Sequence, residues 1–156
     1  TGQGGGRPLA AEGGVRGMAG GSPWVELVLD NTSTSLDLEY HDLGPQGAER
    51  LAAALEHNNT LTSLSLKSNR IGPQGAERLA DALEHNNTLT SLNLRGNDIG
   101  PQGAEGRLGA AALEHNNTLT SLSLKSNRIG PQGAERLAVA LERNNTYNNT
   151  MTSIDL

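Results

Sequence analysis

The chain contains no cysteine and no phenylalanine, and aromatic side chains are scarce throughout. The absence of cysteine excludes disulfides and thiolate metal sites. Trp24, Tyr40 and Tyr147 are the only aromatic residues, so any hydrophobic core must be built from leucine and alanine. Because Trp, Tyr and Arg dominate binding hot spots, few aromatic anchors are available to an interface.

Long apolar runs and an excess of basic charge are also missing. No apolar run reaches membrane-spanning length, so we expect no membrane partner. The chain has 12 basic and 17 acidic residues, and its formal net charge is −5. Nucleic-acid binders usually carry a basic stripe, so this balance argues against a nucleic-acid partner. No secretory signal is visible, although the chain starts at Thr1 rather than Met, and we expect a cytoplasmic location.

What the sequence does contain is one unit of 28 residues, repeated. The clearest copy runs from Leu61 to Thr88, and the next copy starts at Leu89. Further copies start at Ser33 and Leu119, and a partial copy starts at Met151. A fixed period of this length predicts a solenoid of stacked units.

Two periodicities follow one another inside the unit. Leu64 and Leu66 alternate with polar residues, which is typical of a strand. After Gly72-Pro73, the apolar residues Ala76, Leu79, Ala80 and Leu83 form one stripe of a helix that begins at the proline. We expect Asn86 or Asn87 to end the helix in the left-handed conformation. Strands pack closer together than helices do, so stacked units should form a curved α/β solenoid, with a parallel sheet on the concave side and helices outside.

The two ends of the chain depart from the repeat. Residues 1–23 are glycine-rich, and we predict a disordered tail or linker there. Residues 24–156 form the repeat domain, in which residues 24–32 are read as a cap: Trp24–Leu29 has the alternation of a strand, and Trp24 could cover the first repeat. The partial repeat 151–156 leaves the other end uncapped. The protein therefore either continues with more repeats or self-associates there.

Two repeats carry insertions. The unit that starts at Leu89 is two residues longer than the others and contains Gly106 and Gly109, so we predict a bulge, kink or break in its helix. The unit that starts at Leu119 gains Tyr147–Thr150, four residues that we place in the loop between helix and strand.

Asparagine recurs at two positions of the unit. Asn69, Asn97 and Asn127 follow the strands, where buried amides could form a ladder that satisfies the loop backbone. A second set begins Asn-x-Ser/Thr sequons, mostly in the loop that ends each helix. We interpret this second set as turn residues rather than glycan sites.

The unit Leu-x-x-Leu-x-Leu-x-x-Asn-x-Ile-Gly-Pro-Gln-Gly-Ala-Glu-Arg-Leu-Ala-x-Ala-Leu resembles the ribonuclease-inhibitor-like class of leucine-rich repeats. Within that class it looks most like the repeats of nucleotide-binding immune receptors, over Ser33–Leu156. The resemblance implies a non-enzymatic module without cofactor or metal, which recognises a protein partner on its concave face. The lack of cysteine and aromatics argues against ribonuclease inhibition, and the chain has no nucleotide-binding loop.

Two alternatives remain open at this point. Ran GTPase activators of the same class use an arginine in a loop after a strand, and Arg70 and Arg128 stand in such loops. The chain could also be a structural fragment of a larger receptor, whose binding surface lies in other repeats.

Candidate partner-binding residues come from the outward positions of the strands and from the loops that follow. Lys67, Arg95 and Lys125 should form a basic row, with acidic residues at both ends, that receives an acidic partner. The complete predicted site is Asp37, Glu39, Ser65, Lys67, Arg70, Asn93, Arg95, Asp98, Ser123, Lys125, Arg128 and Asp155.

Overall fold

Strands and helices alternate in the computed structural model, which describes Arg7–Pro8 and residues 23–156. In chain order the elements are β1 (Arg7–Pro8), α1 (Pro23–Leu29), β2 (Ser35–Asp37), α2 (Gly44–Leu55), β3 (Ser63–Ser65), α3 (Gly72–His85), β4 (Ser91–Asn93), α4 (Gly100–Gly103), β5 (Ser121–Ser123), α5 (Gly130–Tyr147) and β6 (Ser153–Asp155). The helix of the third repeat continues after α4 as two π-helical segments, Ala104–Leu108 and Ala110–His115.

The strands form one parallel sheet in the order of the sequence, from β1 to β6. Equivalent residues of successive repeats face one another across the sheet. The central residues that pair in this way are Leu36, Leu64, Leu92, Leu122 and Ile154. This register confirms the predicted fold, a curved leucine-rich-repeat solenoid with the sheet on its concave side and the helices on its convex side.

The core runs between the sheet and the layer of helices. The strand side supplies Leu64 and Leu66, and α3 supplies Leu79 and Leu83. All four belong to one hydrophobic cluster and are at most 2% exposed. Neighbouring repeats complete their cover, because α3 packs against α2 on one side and against the third repeat's helix on the other. Burial is therefore shared between repeats, as a solenoid requires.

Each long helix begins at the Gly-Pro pair, as predicted. Gly72 has a φ of +70°, which glycine adopts without strain, and Pro73 stands in the first helical turn. The backbone N–H of Gly72 donates to the carbonyl of Asn97 in the next repeat at 2.8 Å. The turn that starts a helix is thus held by the repeat that follows it.

A second glycine in each helix allows neighbouring helices to approach closely. A Cβ at Gly75 would lie 2.5 Å from Cγ2 of Ile71 and 3.0 Å from Cβ of Ala48 in the preceding helix. In the first repeat, a Cβ at Gly47 would instead meet the Trp24 ring, at 3.4 Å. Trp24 therefore occupies the place that a preceding repeat occupies elsewhere, while the assignment of residues 24–32 as a cap stays a prediction.

The prediction that Trp24–Leu29 forms a strand is wrong, because this segment is the helix α1. Pro23 at its start favours the first turn of a helix. Trp24 and Val28 are four residues apart, so they lie on the same face and pack against the core. The carbonyl of Val28 accepts the Asn58 amide at 2.6 Å, just as Leu55 accepts that of Asn86. The segment α1 therefore replaces the last turns of a preceding repeat's helix.

Two further local predictions are wrong. Asn86 ends α3 in an extended conformation, with φ −81° and ψ 127°, because its side chain closes the turn instead. The insertion in the fourth repeat does not enlarge a loop: α5 continues to Tyr147, and Thr150 and Met151 then bond to Asn144. The inserted residues thus lengthen the helix by about one turn.

The predicted break in the third repeat's helix is confirmed. Gly106 has φ −79° and ψ −138°, which is not helical, and it lies inside the first of the two π-helical segments, Ala104–Leu108. Leu108 and Leu113 remain fully buried despite the two extra residues. The wider winding absorbs the insertion and keeps the apolar face on the core.

The last repeat shows the face that its predecessors bury. Leu156 is 50% exposed where its counterpart Leu124 is buried, and Leu141 is only half-buried where its counterpart Leu83 is buried. Self-association through this face stays a prediction. The predicted tail of residues 1–23 lies outside the described residues, apart from Arg7, Pro8 and Pro23, and it also stays a prediction.

Candidate functional site

Buried asparagines hold the loops that follow the strands. The Asn97 side chain is fully buried, and its Oδ1 accepts the N–H of Asn69 at 2.9 Å and that of Ile71 at 3.4 Å. Its Nδ2 donates to the carbonyls of Leu66, Leu94 and Arg95. Asn69 and Asn127 make equivalent bonds. The predicted ladder is confirmed, and it fixes the backbone from which the candidate site residues project.

A second asparagine ladder lies at the opposite end of each strand. Asn86 is 4% exposed; its Nδ2 donates to the carbonyls of Leu55 and Asn58, and its Oδ1 accepts the N–H groups of Thr88 and Leu89. The equivalent residues Asn58, Asn116 and Asn144 are also buried and bonded. These sequon asparagines therefore serve the turn between helix and strand, as their position in the repeat predicts.

Three cations stand side by side on the concave face: Lys67, Arg95 and Lys125, hereafter the cation row. The backbone aligns them, because Ser68 N–H donates to the Arg95 carbonyl at 2.9 Å and Gly96 N–H donates to the Lys125 carbonyl at 3.0 Å. Among the residues that the structure describes, none of the three takes part in an ion pair. The row therefore presents uncompensated positive charge to the concave side.

A second line of outward side chains runs beside the cation row. This inner row consists of the last residue of each strand from β2 to β6, namely Asp37, Ser65, Asn93, Ser123 and Asp155. Its central members are hydroxyls and an amide, and both of its ends are carboxylates. The predicted acidic flanks are therefore placed at the two ends of the face.

The hydroxyls of the inner row already bind carboxylates from within the chain. Ser65 Oγ donates to Glu39 Oε2 at 2.8 Å, and Ser123 Oγ donates to Asp155 Oδ2 at 3.5 Å. Glu39 occupies the first repeat's position in line with the cation row. These contacts are a structural precedent for a carboxylate on this face.

Sequence reasoning missed the role of Tyr40. Its ring lies below the Lys67 ammonium, with 5.5 Å between Nζ and the ring centroid, and 68% of Tyr40 is exposed. The equivalent positions in the later repeats hold Ser68, Gly96 and Ser126. That departure from the repeat was the signal available in the sequence. Tyr40 gives one end of the cation row an aromatic surface.

The loop residues of the predicted site lie beside the cation row but do not act as one group. Arg70 Nη1 forms an exposed ion pair with Asp42 Oδ1 at 3.4 Å. Asp98 and Arg128 are exposed and unpaired among the described residues. All three of Arg70, Asp98 and Arg128 have φ between 53° and 56°, in the left-handed region, and all three are exposed.

The described residues offer little support for other kinds of site. Within them, no group of three or more His, Asp or Glu side chains is placed to hold a metal ion. No helix in the same part of the chain has both the length and the apolar character needed to cross a membrane. The concave face remains the candidate site.

Solved structures with the same fold include a leiomodin domain and a tropomodulin domain. Leiomodin-1 actin-binding site 2 shares 28% identity with this chain, with a TM-score of 0.76 over 86% of this chain and 77% of that one. The tropomodulin C-terminal domain from Caenorhabditis elegans shares 16% identity, with a TM-score of 0.71 over 85% of this chain and 79% of that one, which shows the fold alone.

The sequence comparisons identify the repeat class but not a closer relative. No curated protein sequence matches the chain. The comparisons do not support the closer resemblance to nucleotide-binding immune receptors that was expected from the repeat sequence. A leucine-rich-repeat family model matches residues 34–52, 57–80, 85–106 and 115–138, which is more than half of the chain. Since these matches coincide with the stacked units of the structure, the chain belongs to the leucine-rich-repeat family.

Proposed function

We propose that the chain is a non-enzymatic protein-binding module, which receives an acidic surface of its partner on the concave face. The observation that carries the proposal is the cation row, three adjacent positive charges that no carboxylate among the described residues neutralises. An acidic partner would gain attraction to all three charges at once and would be steered toward the face.

The contact surface in this proposal is made of the cation row, the inner row and the loop residues Arg70, Asp98 and Arg128. Polar groups of the inner row would orient the partner, and the terminal carboxylates Asp37 and Asp155 would repel an acidic segment placed out of register. Buried leucines and the Asn97 ladder beneath keep this surface rigid, so little ordering cost opposes binding.

Actin is the first partner to test, because the solved structure of leiomodin-1 actin-binding site 2 is similar to this chain at 28% identity. An actin partner would also agree with the cytoplasmic location expected from the sequence. The test measures binding of purified monomeric actin to the immobilised protein by interferometry. We expect saturable binding that weakens as salt is raised.

The matching variant reverses the cation row: Lys67→Glu, Arg95→Glu and Lys125→Glu. Its control reverses Arg78, Arg136 and Arg143 on the convex helices, which changes the net charge by the same amount. We expect the first variant to lose actin binding and the control to keep it. Equal effects of the two variants would show that only net charge matters, and absence of binding by the wild-type protein would exclude actin as the partner.

The rival function is GTPase activation through Arg70 or Arg128. Arg70 already pairs with Asp42, so it would have to be released before it could reach a nucleotide. GTP hydrolysis by small GTPases, compared between the wild-type protein and the Arg70→Ala and Arg128→Ala variants, separates the two functions. Stimulation that depends on either arginine would overturn the binding-module proposal.

A further inference from the structure

We infer that the segment which docks on the cation row is an α-helix that crosses the strands, with acidic residues at positions i, i+4 and i+7. This inference rests on the proposed function, since both place the partner on the concave face. It adds the partner's secondary structure and the spacing of its charges.

The first step is the spacing of the cation row. The three cations follow strands that are adjacent in one parallel sheet, and the backbone hydrogen bonds between their loops keep them in step. Adjacent strands lie about 4.8 Å apart, so the outer two members of the row are separated by roughly 9.6 Å along the direction of stacking.

The second step compares this spacing with the carboxylates of a partner chain. On a helix, residues i+4 and i+7 lie about 6 Å and about 10.5 Å from residue i along the axis. On an extended strand, side chains of one face recur every ~6.6 Å and reach ~13 Å at the third. The helical spacing matches the row at both steps, whereas the extended spacing overshoots the third cation.

The third step is the charge pattern at the end of the row. In the first repeat, the position equivalent to the cation row holds an acidic residue, Glu39. Its carboxylate accepts a hydrogen bond from the Ser65 hydroxyl at 2.8 Å. A fourth acidic residue on the partner helix would meet this carboxylate and be repelled. A basic residue at the fourth position would be attracted, so the structure favours three acidic residues followed by one basic residue on one helix face.

The fourth step is the surface beside that end. The Tyr40 ring lies next to Lys67 and is mostly exposed. An apolar side chain on the partner helix can pack on this ring near the position where the acidic residue contacts Lys67. The two contacts together set which end of the helix lies at the first repeat.

The experiment uses the full chain and three synthetic peptides of equal length and net charge. One is a lactam-stapled helix with glutamates at i, i+4 and i+7; one is the same helix with glutamates spread over different faces; one alternates threonine and glutamate and is extended. Fluorescence anisotropy measures their affinities. We expect the first peptide to bind about tenfold more tightly than the other two, as three well-placed ion pairs allow.

A charge swap then tests the contacts themselves. The variant with Lys67→Glu, Arg95→Glu and Lys125→Glu should reject the glutamate helix and bind the same helix with lysines at i, i+4 and i+7. The single variant Arg95→Glu, at an exposed position, should bind the glutamate helix more weakly and should not bind the other two peptides more weakly. Circular dichroism confirms that both variants are folded.

The outcomes separate this inference from the function on which it rests. Tighter binding of the extended peptide would overturn the helix and its spacing, while actin binding that depends on the cation row would still support the proposed function. Failure of the swapped lysine helix to bind the reversed variant would overturn the assigned contacts. Preference for the glutamate helix, restored by the swap, would establish them.

Discussion

Asn97 should contribute strongly to stability, because its buried side chain bonds to two repeats at once. Its Oδ1 accepts the N–H groups of Asn69 and Ile71, and neither group donates to another acceptor among the described residues. Its Nδ2 donates to three carbonyls, but each carbonyl keeps another donor: Leu66 keeps Asn69, Leu94 keeps Asn127, and Arg95 keeps the N–H of Ser68. Removing the Asn97 amide therefore orphans two buried donors and no acceptor.

The magnitude follows from those two donors. A buried group left unsatisfied costs about 1–3 kcal/mol, and the bond from Ile71 is long at 3.4 Å, so Asn97→Ala should lower the free energy of unfolding by about 2–4 kcal/mol. The control is Asn87→Ala, at an exposed position ten residues earlier in the sequence, which should change it by less than about 0.5 kcal/mol. Urea unfolding followed by circular dichroism gives both values.

A third variant separates the acceptor from the donor. Asn97→Asp keeps an oxygen for the two N–H groups but places a carboxylate against three carbonyls. We expect Asn97→Asp to be destabilised as well, because a buried carboxylate faces these carbonyl oxygens without the amide donor that they now receive. A cost below about 1 kcal/mol for Asn97→Ala would refute the structural role of the ladder.

Two further predictions concern contacts between helices. Gly75→Ala should destabilise the protein by about 1–3 kcal/mol, because the new Cβ would lie 3.0 Å from Ala48 and 2.5 Å from Ile71; Gln74→Ala, at an exposed neighbour, should be neutral in the same urea titration. Trp24→Ala should remove roughly 1–3 kcal/mol and speed hydrogen exchange in α2 more than in α5, because the Trp24 ring covers Gly47. An equal increase of the exchange rate in α2 and α5 on Trp24→Ala would contradict the role of α1 as a cap.

The sequence was sufficient to predict the architecture, because the residues that determine strand, helix start and loop recur in every repeat. The leucines set the register of the strands, Gly72-Pro73 starts the helix, and the buried amide of Asn97 bonds to the backbone of the preceding repeat. Each of these features is encoded within one unit, and stacking of the units places equivalent residues side by side along the solenoid. The break at Gly106 was also predictable, since two extra residues with two glycines cannot fit a regular helix.

The parts that failed depend on contacts outside one unit. Trp24–Leu29 alternates like a strand, yet its place beside α2 and the amide of Asn58 favour a helix. Tyr147 falls in α5 because Asn144 keeps its buried position and bonds to residues after the insertion. Local pattern alone carries no information about these partners.

The candidate site shows the same division. The alignment of Lys67, Arg95 and Lys125 follows from the period, so their neighbourhood could be predicted. Two contacts could not be predicted: the ion pair between Arg70 and Asp42, and the stacking of Lys67 on Tyr40. Both depend on the conformations of exposed side chains, which the repeat pattern does not determine.

Stacking is the central claim, since the cation row exists only while neighbouring repeats hold one another in register. The most direct test is the circular dichroism of the isolated 28-residue unit Leu61–Thr88, which contains β3 and α3 but neither neighbour. The account predicts an unfolded spectrum with no thermal transition, because Leu64, Leu66, Leu79 and Leu83 lose most of their cover. A monomeric peptide with a cooperative melting transition would contradict it.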